Sequence, residues 1–317
     1  MGEAVFVSIC IPAYKRASYL RRLLDSIQIQ TYGHFEVVIS DDSPDNEVSE
    51  LVTTHALAPL IRYFKNEKPK GTPENWNESM RRAAGEWIKL MHDDDWFAES
   101  DALEIFVRSV KDNPGSTFFF SAYRNIFIDK NTSRGISLSP VRRILLEKNI
   151  KTLVSQNVIG PPSVVFHKKN PECQYDPHLK WLVDIDFYIR CLQDQKPFWI
   201  ARDLIRVGIS DEQVTQLCFR NPVVEIPENL YLLNKIGKES LKNIFVFDAF
   251  WRFIRNLDIV SVEQIRSTGY TGDVPAIIQS MIRFQSRWPK RLLKNGWISK
   301  GLMGIHYLFQ YHTLARG

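Results

Sequence analysis

Apolar and polar positions follow two alternating rhythms over the first third of the chain. Residues 5–11 (VFVSICI) form an almost unbroken apolar run closed by Pro12, the pattern of a strand buried on both faces. Leu20, Leu23, Leu24 and Ile27 then recur at i, i+3, i+4 and i+7, which predicts an amphipathic helix with Ser18 as its N-cap. Residues 35–39 (FEVVI) return to strand and run into the turn-rich polar cluster 40–45 (SDDSPD). A short helix over 47–53 and a strand over 61–64 follow, then a helix that Pro73 opens at N1 and that ends at Ala84-Gly85. Residues 87–91 (WIKLM) are strand once more and stop at His92-Asp93-Asp94-Asp95.

Strand–helix–strand units of this length imply an α/β fold, a mostly parallel sheet flanked by helices. Ligands of such sheets bind at the carboxyl ends of the strands. Three polar clusters stand at those ends here: residues 13–16, Asp41-Asp42 and Asp93-Asp94-Asp95. Beyond them the pattern predicts a helix over 100–112, a strand over 118–122, a polar excursion over 129–135 and a Gly-Pro-Pro turn leading into a strand within 157–167. A helix over 181–192 carries Asp184 and Asp186 near its start, and after about residue 225 the pattern is helical. The expected organisation is an α/β domain over 1–225, in two halves (1–98 and 99–225), followed by a helical C-terminal region over 226–317.

Composition narrows the class. With 44% hydrophobic residues and a net charge of only +5 over 317 residues, the chain is not a disordered one. The charge is concentrated: residues 274–317 hold seven basic side chains (Arg283, Arg287, Lys290, Arg291, Lys294, Lys300, Arg316) and no Asp or Glu. Without these seven the net charge falls to −2, which argues against nucleic-acid binding by the body. The tail interleaves them with Trp288, Trp297, Ile298, Leu302, Met303, Tyr307, Leu308 and Phe309. That composition fits an interfacial helix drawn to anionic lipid, and equally a helix packed on the protein with a solvated basic rim. Cys10, Cys173, Cys191 and Cys218 stand far apart with no CxxC pair, so they read as thiols in a reducing compartment rather than as a zinc site. The first residues carry no basic run before the strand, and no stretch approaches a membrane span. The expected location is cytoplasmic, with peripheral contact to the inner face of the membrane through the tail.

The carboxylates carry the candidate chemistry. Three adjacent ones at the end of a buried strand repel one another unless a cation or solvent offsets them, and hard Mg²⁺ or Mn²⁺ takes such oxygen ligands. A solvated acidic turn is the other reading of Asp93-Asp94-Asp95. Asp41 and Asp42 read either as an Asx turn or as groups that hydrogen-bond a base or ribose. Asp184 and Asp186 fit the first turn of a helix, where the dipole favours negative charge. Alternatively, apolar Trp181, Leu182 and Phe187 lift Asp184 toward the working pH of a general base.

Taken in order, these segments resemble the family-2 glycosyltransferases of the GT-A fold, over roughly residues 5–215. VSICIPAYKR (7–16) resembles the family's opening strand and nucleotide loop, and VVISDDSPDN (37–46) its base-binding turn. GTPENWNESMRRAAGEWIKLMHDDDW (71–96) resembles the central block, with Gly71, Asn77 and Gly85 at matching places and Asp93-Asp94-Asp95 on the metal motif. NVIGPPSVVF (157–166) resembles an acceptor-side strand, and LVDIDFYIR (182–190) the helix bearing the catalytic base. The resemblance implies that Pro12, Ala13, Tyr14, Arg16 and Asn77 line the nucleotide, that Asp41 or Asp42 reads the base, and that Asp94 contacts the ribose and metal. It further implies Asp95, with Asp93, as metal ligand for Mn²⁺ or Mg²⁺, and Asp184 as base. Two departures stand out: Val183 where many relatives have Glu, and Ser210 about where many carry a His ligand, in the segment 208–215.

The implied reaction is inverting transfer of a sugar from a UDP-, dTDP- or GDP-sugar to a hydroxyl of a glycan or lipid-linked acceptor, in bacterial surface polysaccharide synthesis. Its rivals are another metal-dependent nucleotidyl or phosphoryl transferase and a non-catalytic sugar-nucleotide binding protein. No P-loop GxxxxGK[ST] is present, and no GxGxxG follows the first strand.

Overall fold

The long apolar runs become the centre of a sheet. The computed structural model describes residues 4–210 and 218–316, which divide into two compact units. The first draws on Met1–Glu147, Val158–Pro177 and Phe187–Gln213. Its strands are β1 (Val7–Ala13), β2 (Phe35–Asp41), β3 (Ile61–Lys65), β4 (Trp87–Leu90), β5 (Trp96–Phe97), β6 (Phe118–Phe127), β7 (Thr132–Ile136), β8 (Val165–Lys168) and β9 (Phe198–Ile209). They lie in the order β3-β2-β1-β4-β8-β6-β9-β5, with β7 added on β6. Every residue of β1, β2 and β4 is buried, as expected of strands covered on both faces, whereas β3 at the edge is partly exposed.

The crossovers among the first four strands are α1 (Ala17–Gln28), α2 (Glu47–Thr54) and α3 (Glu74–Arg81); α4 (Ala102–Asp112) precedes β6. β1 pairs in parallel with β2 and β4, and β2 with β3. β8 then enters antiparallel to β4 and β6, so the sheet as a whole is mixed. The parallel register brings the strand ends together: Ala13 lies opposite Asp41, Asp42 N–H donates to the Ala13 carbonyl at 2.9 Å, and Met91 N–H donates to that of Cys10 at 2.9 Å.

Several local expectations change. α1 starts at Ala17 with Arg16 as its N-cap, in the left-handed region and without a side-chain cap, so Ser18 lies inside the helix. The reason is the exit from β1, which turns through two left-handed residues, Lys15 (φ 56°) and Arg16 (φ 51°). The polar excursion over 129–135 is the turn and return strand of a β6–β7 hairpin. Strand β9 was not anticipated, because Arg202, Asp203 and Arg206 interrupt its apolar alternation. Its register against β6 shifts between Ser121 and Tyr123. The four cysteines are not all thiols: Cys173 and Cys191 form a disulfide, and Cys10 and Cys218 are free and buried. A separation of 18 residues lies outside the short pairs that sequence spacing can flag.

The second unit, from Lys148–Asn157, His178–Asp186 and Val214–Gly317, is helical. Helices α5 (Pro140–Lys148) and α6 (Val183–Cys191) each have residues in both units; α7 (Pro222–Ile236), α8 (Ile244–Asn256), α9 (Val262–Ser267), α10 (Ala276–Gln285), α11 (Lys290–Lys294) and α12 (Gly296–Arg316) follow. Leu230, Leu233, Phe247, Trp251, Ile278 and Met281 anchor its core. The buried Trp251 indole donates to Ser299 Oγ at 3.0 Å, and Gln285 Nε2 donates to the Trp251 carbonyl at 3.0 Å, so these polar groups of the core are paired.

Gly85 fixes how closely the chain before β4 approaches β1. Its N–H donates to Ser8 Oγ at 2.8 Å, and a Cβ there would stand 2.7 Å from Ser8 N and 2.8 Å from the Phe6 carbonyl. Gly85→Ala is therefore predicted to cost about 1–3 kcal/mol by overpacking against backbone that cannot step aside. The urea midpoint should fall at unchanged slope; an unmoved midpoint would show that the strand ends can part freely.

Candidate active site and metal centre

β4 delivers four polar residues, His92 to Asp95, to the carboxyl edge of the sheet. Asp93 accepts from Arg16 Nη2 at 2.6 Å, and Asp94 lies 3.4 Å from Arg16 Nη1. Asp95 Oδ1 accepts the Gly208 N–H at 3.0 Å. A Cβ on Gly208 would collide with the Asp94 carbonyl, so β9 reaches the cluster only through glycine. The guanidinium of Arg22 donates to that same carbonyl at 3.0 Å and lies 3.8 Å above the Trp96 ring. Beneath the cluster, Lys89 is fully buried and donates to the carbonyls of Ser163 and Val165. Burial lowers its ammonium to about 7, with Asp95 opposing the fall.

Burial also raises the Asp93 and Asp95 carboxyls well above their usual range, and neighbouring Asp94 adds to both. Burial lowers the His92 imidazole, which favours the neutral ring that a metal needs. Among the described residues, His92, Asp94 and Asp95 form a group whose candidate ligand atoms all lie within 4.8 Å of one another. Asp95 Oδ2, Asp93 Oδ2 and His92 Nε2 are buried without a hydrogen-bond partner. One imidazole and two carboxylates, with unmatched buried acceptors, fit a divalent cation such as Mn²⁺ or Mg²⁺. His92 had not been singled out as a ligand; its ring lies 4.6 Å from that of Trp76, and its N–H donates to Ser163 Oγ at 3.0 Å.

The other predicted residues divide between this edge and the scaffold. Pro12 and Ala13 are buried at the end of β1, and Tyr14 beyond them is 50% exposed. Asp41 is enclosed, accepting from Ser43 N–H at 2.8 Å, Tyr63 Oη at 2.6 Å and Lys65 Nζ at 3.1 Å. Asp42 accepts from Asn66 Nδ2 at 2.8 Å, Lys70 N–H at 3.0 Å and Gly71 N–H at 2.8 Å, which holds the 66–71 loop against the strand ends. Asn77 faces a different partner: its amide makes two hydrogen bonds of 2.8 Å with the backbone of Tyr175. Ser210 is buried with an unpartnered hydroxyl, two residues beyond Gly208; the remainder of the segment 208–215, from 211 onward, lies outside the described residues.

In the second unit, Asp184 and Asp186 share the first turn of α6 but not their chemistry. Asp186 is buried and paired with Lys235 at 2.7 Å. Asp184 is half-buried, and loss of solvent raises its carboxyl to about 7 against the pull of a backbone hydrogen bond. Glu228, on α7, takes the N–H groups of Lys180, Trp181 and Leu182 at 2.8–2.9 Å. It thereby satisfies the donors of the three residues that lead into the helix. Its separation of more than forty residues from them left no local signal.

Residues 8–169 match the model of glycosyl transferase family 2, just over half of the chain. The chain belongs to glycosyl transferase family 2. An Escherichia coli K12 protein named as a colanic acid biosynthesis glycosyl transferase, WcaA, is 26% identical over 68% of this chain and 77% of its own length. The chain spans 18%, 62% and 25% of the length of the first curated relatives it matches. Among solved structures, Staphylococcus aureus TarS 1–349 in complex with UDP-GlcNAc superposes with a TM-score of 0.64 at 16% identity, covering 99% of this chain and 92% of that one. The mannosyltransferase PcManGT of Pyrobaculum calidifontis, in complex with GDP-Man and Mn²⁺, gives 0.56 at 15% identity, covering 96% and 86%. These likenesses establish the GT-A fold expected from the sequence.

Glu228→Ala leaves three backbone donors without their carboxylate and is predicted to cost about 1–3 kcal/mol. Thermal unfolding should show a lowered midpoint, whereas an unchanged one would mean that water replaces the carboxylate at no cost.

Proposed function

We propose that this family 2 member transfers a sugar, with inversion, from a nucleoside diphosphate donor to an acceptor hydroxyl. The observation that carries the reading is the convergence of His92, Asp94 and Asp95 at the strand ends, with buried acceptors unpartnered. UDP-GlcNAc on TarS and GDP-Man with Mn²⁺ on PcManGT support a nucleotide sugar as donor. The name of WcaA supports a role in surface polysaccharide synthesis.

His92, Asp94 and Asp95 would hold the Mn²⁺ or Mg²⁺, and Asp93, paired with Arg16, keeps the loop between β1 and α1 beside them. When bound, the cation supplies positive charge where the departing diphosphate becomes negative. Asp42 orders the 66–71 loop, and exposed Tyr14 offers its ring to the nucleotide at the end of β1. Asp184 accepts the proton of the acceptor hydroxyl as its oxygen bonds to the anomeric carbon and the bond to the diphosphate breaks. One displacement inverts that carbon, and the products are the glycoside and a nucleoside diphosphate. Asp184 suits this role better than Asp186, whose charge Lys235 already occupies.

Four measurements test the reading. Because the Asp184 carboxyl is raised to about 7, the base form grows as pH rises, so kcat/KM should climb through about pH 7 and level off above it. Asp184→Asn should keep donor binding while turnover falls by roughly 10²–10⁴-fold and the pH limb disappears; unchanged turnover removes Asp184 from the mechanism. Asp95→Ala should abolish Mn²⁺-dependent nucleotide binding in calorimetry, and binding that persists with Mn²⁺ would refute the ligand assignment. Release of pyrophosphate in place of nucleoside diphosphate would mean nucleotidyl transfer.

A further inference from the structure

The basic tail noted in the sequence folds into α10, α11 and α12, and one face of α12 stands bare. Leu302, Met303, Ser299 and His306 turn into the core of the second unit. Trp297 is 89% exposed, Leu308 70% and Phe309 73%, and Ile298 and Ile305 are also exposed. Positions 297, 298, 305, 308 and 309 fall at i, i+1, i+8, i+11 and i+12, which at about 3.6 residues per turn is a single stripe along the helix. An isolated exposed aromatic needs no explanation, but a contiguous apolar stripe headed by a tryptophan marks a contact surface. Arg283, Arg287, Lys290, Arg291, Lys294 and Lys300 are all exposed, and no acidic residue occurs from 274 onward.

We propose that α12 lies flat on an anionic lipid bilayer, its Trp297–Phe309 stripe entering the interface while the neighbouring Lys and Arg side chains meet lipid phosphates. Charge complementarity selects this occupant: Asp258 pairs with Lys290 at 3.4 Å, yet the six exposed cations leave the surface basic, which negative headgroups match, whereas a second copy would bring the same cations against it. The geometry is that of a helix lying on the membrane, since no helix among the described residues is long and apolar enough to cross one. Such docking would hold the enzyme at the surface where an acceptor carried on lipid is found, but it stands independently of the catalytic reading.

Flotation of the full chain with vesicles of phosphatidylcholine, alone or mixed with phosphatidylglycerol, decides the matter. Binding is expected only to the anionic vesicles and should weaken as salt is raised. The triple substitution Trp297→Ser, Leu308→Ser and Phe309→Ser should lower partitioning at least about tenfold with an unchanged circular dichroism spectrum, because these side chains are exposed. A second variant, Lys294→Glu with Lys300→Glu, should lower it through charge alone. Flotation of the triple variant like the parent, or binding indifferent to phosphatidylglycerol, would overturn the proposal. So would a concentration-dependent dimer in sedimentation velocity that the triple variant abolishes, since the stripe would then cover another copy.

Discussion

Three neighbouring carboxylates at the end of a buried strand repel one another, and the surrounding structure is arranged to contain that repulsion. Arg16 neutralises Asp93 and approaches Asp94, Gly208 donates its N–H to Asp95, and Lys89 places an ammonium beneath them. The offset is incomplete: one oxygen each of Asp93 and Asp95 remains buried with no donor. An unmatched buried acceptor costs about 1–3 kcal/mol, and a buried ion without a counter-charge costs more. The protein answers by shifting the carboxyls toward their protonated forms. A divalent cation bound there would reverse that shift, and the repulsion it relieved would add to its affinity.

The same requirement explains a backbone that departs from its local preference. Left-handed geometry costs a residue with a side chain about 1–2 kcal/mol. Lys15 and Arg16 both adopt it, in succession, immediately after β1. The turn forgoes the Ser18 cap, yet it sends the Arg16 guanidinium to Asp93 and sets Lys15 N–H on Ser43 Oγ at 2.6 Å. Strain of this kind persists where several contacts over-determine it. Gly208 and Gly71 serve a related purpose without strain, one by close approach to Asp94 and the other by its φ of 69° beneath Asp42.

Much of this was legible in the sequence because burial on both faces writes itself as an unbroken apolar run. VFVSICI, FEVVI and WIKLM became β1, β2 and β4, parallel, with their polar ends on one edge as the fold class required. β9 escaped because it is only partly buried and carries charges along its length. His92 escaped because a lone histidine before an acidic run looks like loop, and only the fold turns its ring toward Asp95, at 3.9 Å. Glu228 and the Cys173–Cys191 pair depend on partners distant in sequence, where composition and periodicity carry no signal.

Asp184 and Asp186 show most directly where chemistry stops being a property of sequence. Two residues apart in VDID, they have the same side chain, the same helix turn and the same exposure to the helix dipole. Local rules treat them as two equivalent anions. Lys235, some fifty positions onward, separates them: it pairs with Asp186, whereas Asp184, half-buried, meets chiefly the loss of water. A carboxylate held by a lysine is a poor proton acceptor, because taking the proton would forfeit the pair. A carboxylate whose charged form is merely tolerated gains from accepting one. What each carboxylate is free to do therefore depends on its partner, and the partner comes from the tertiary fold.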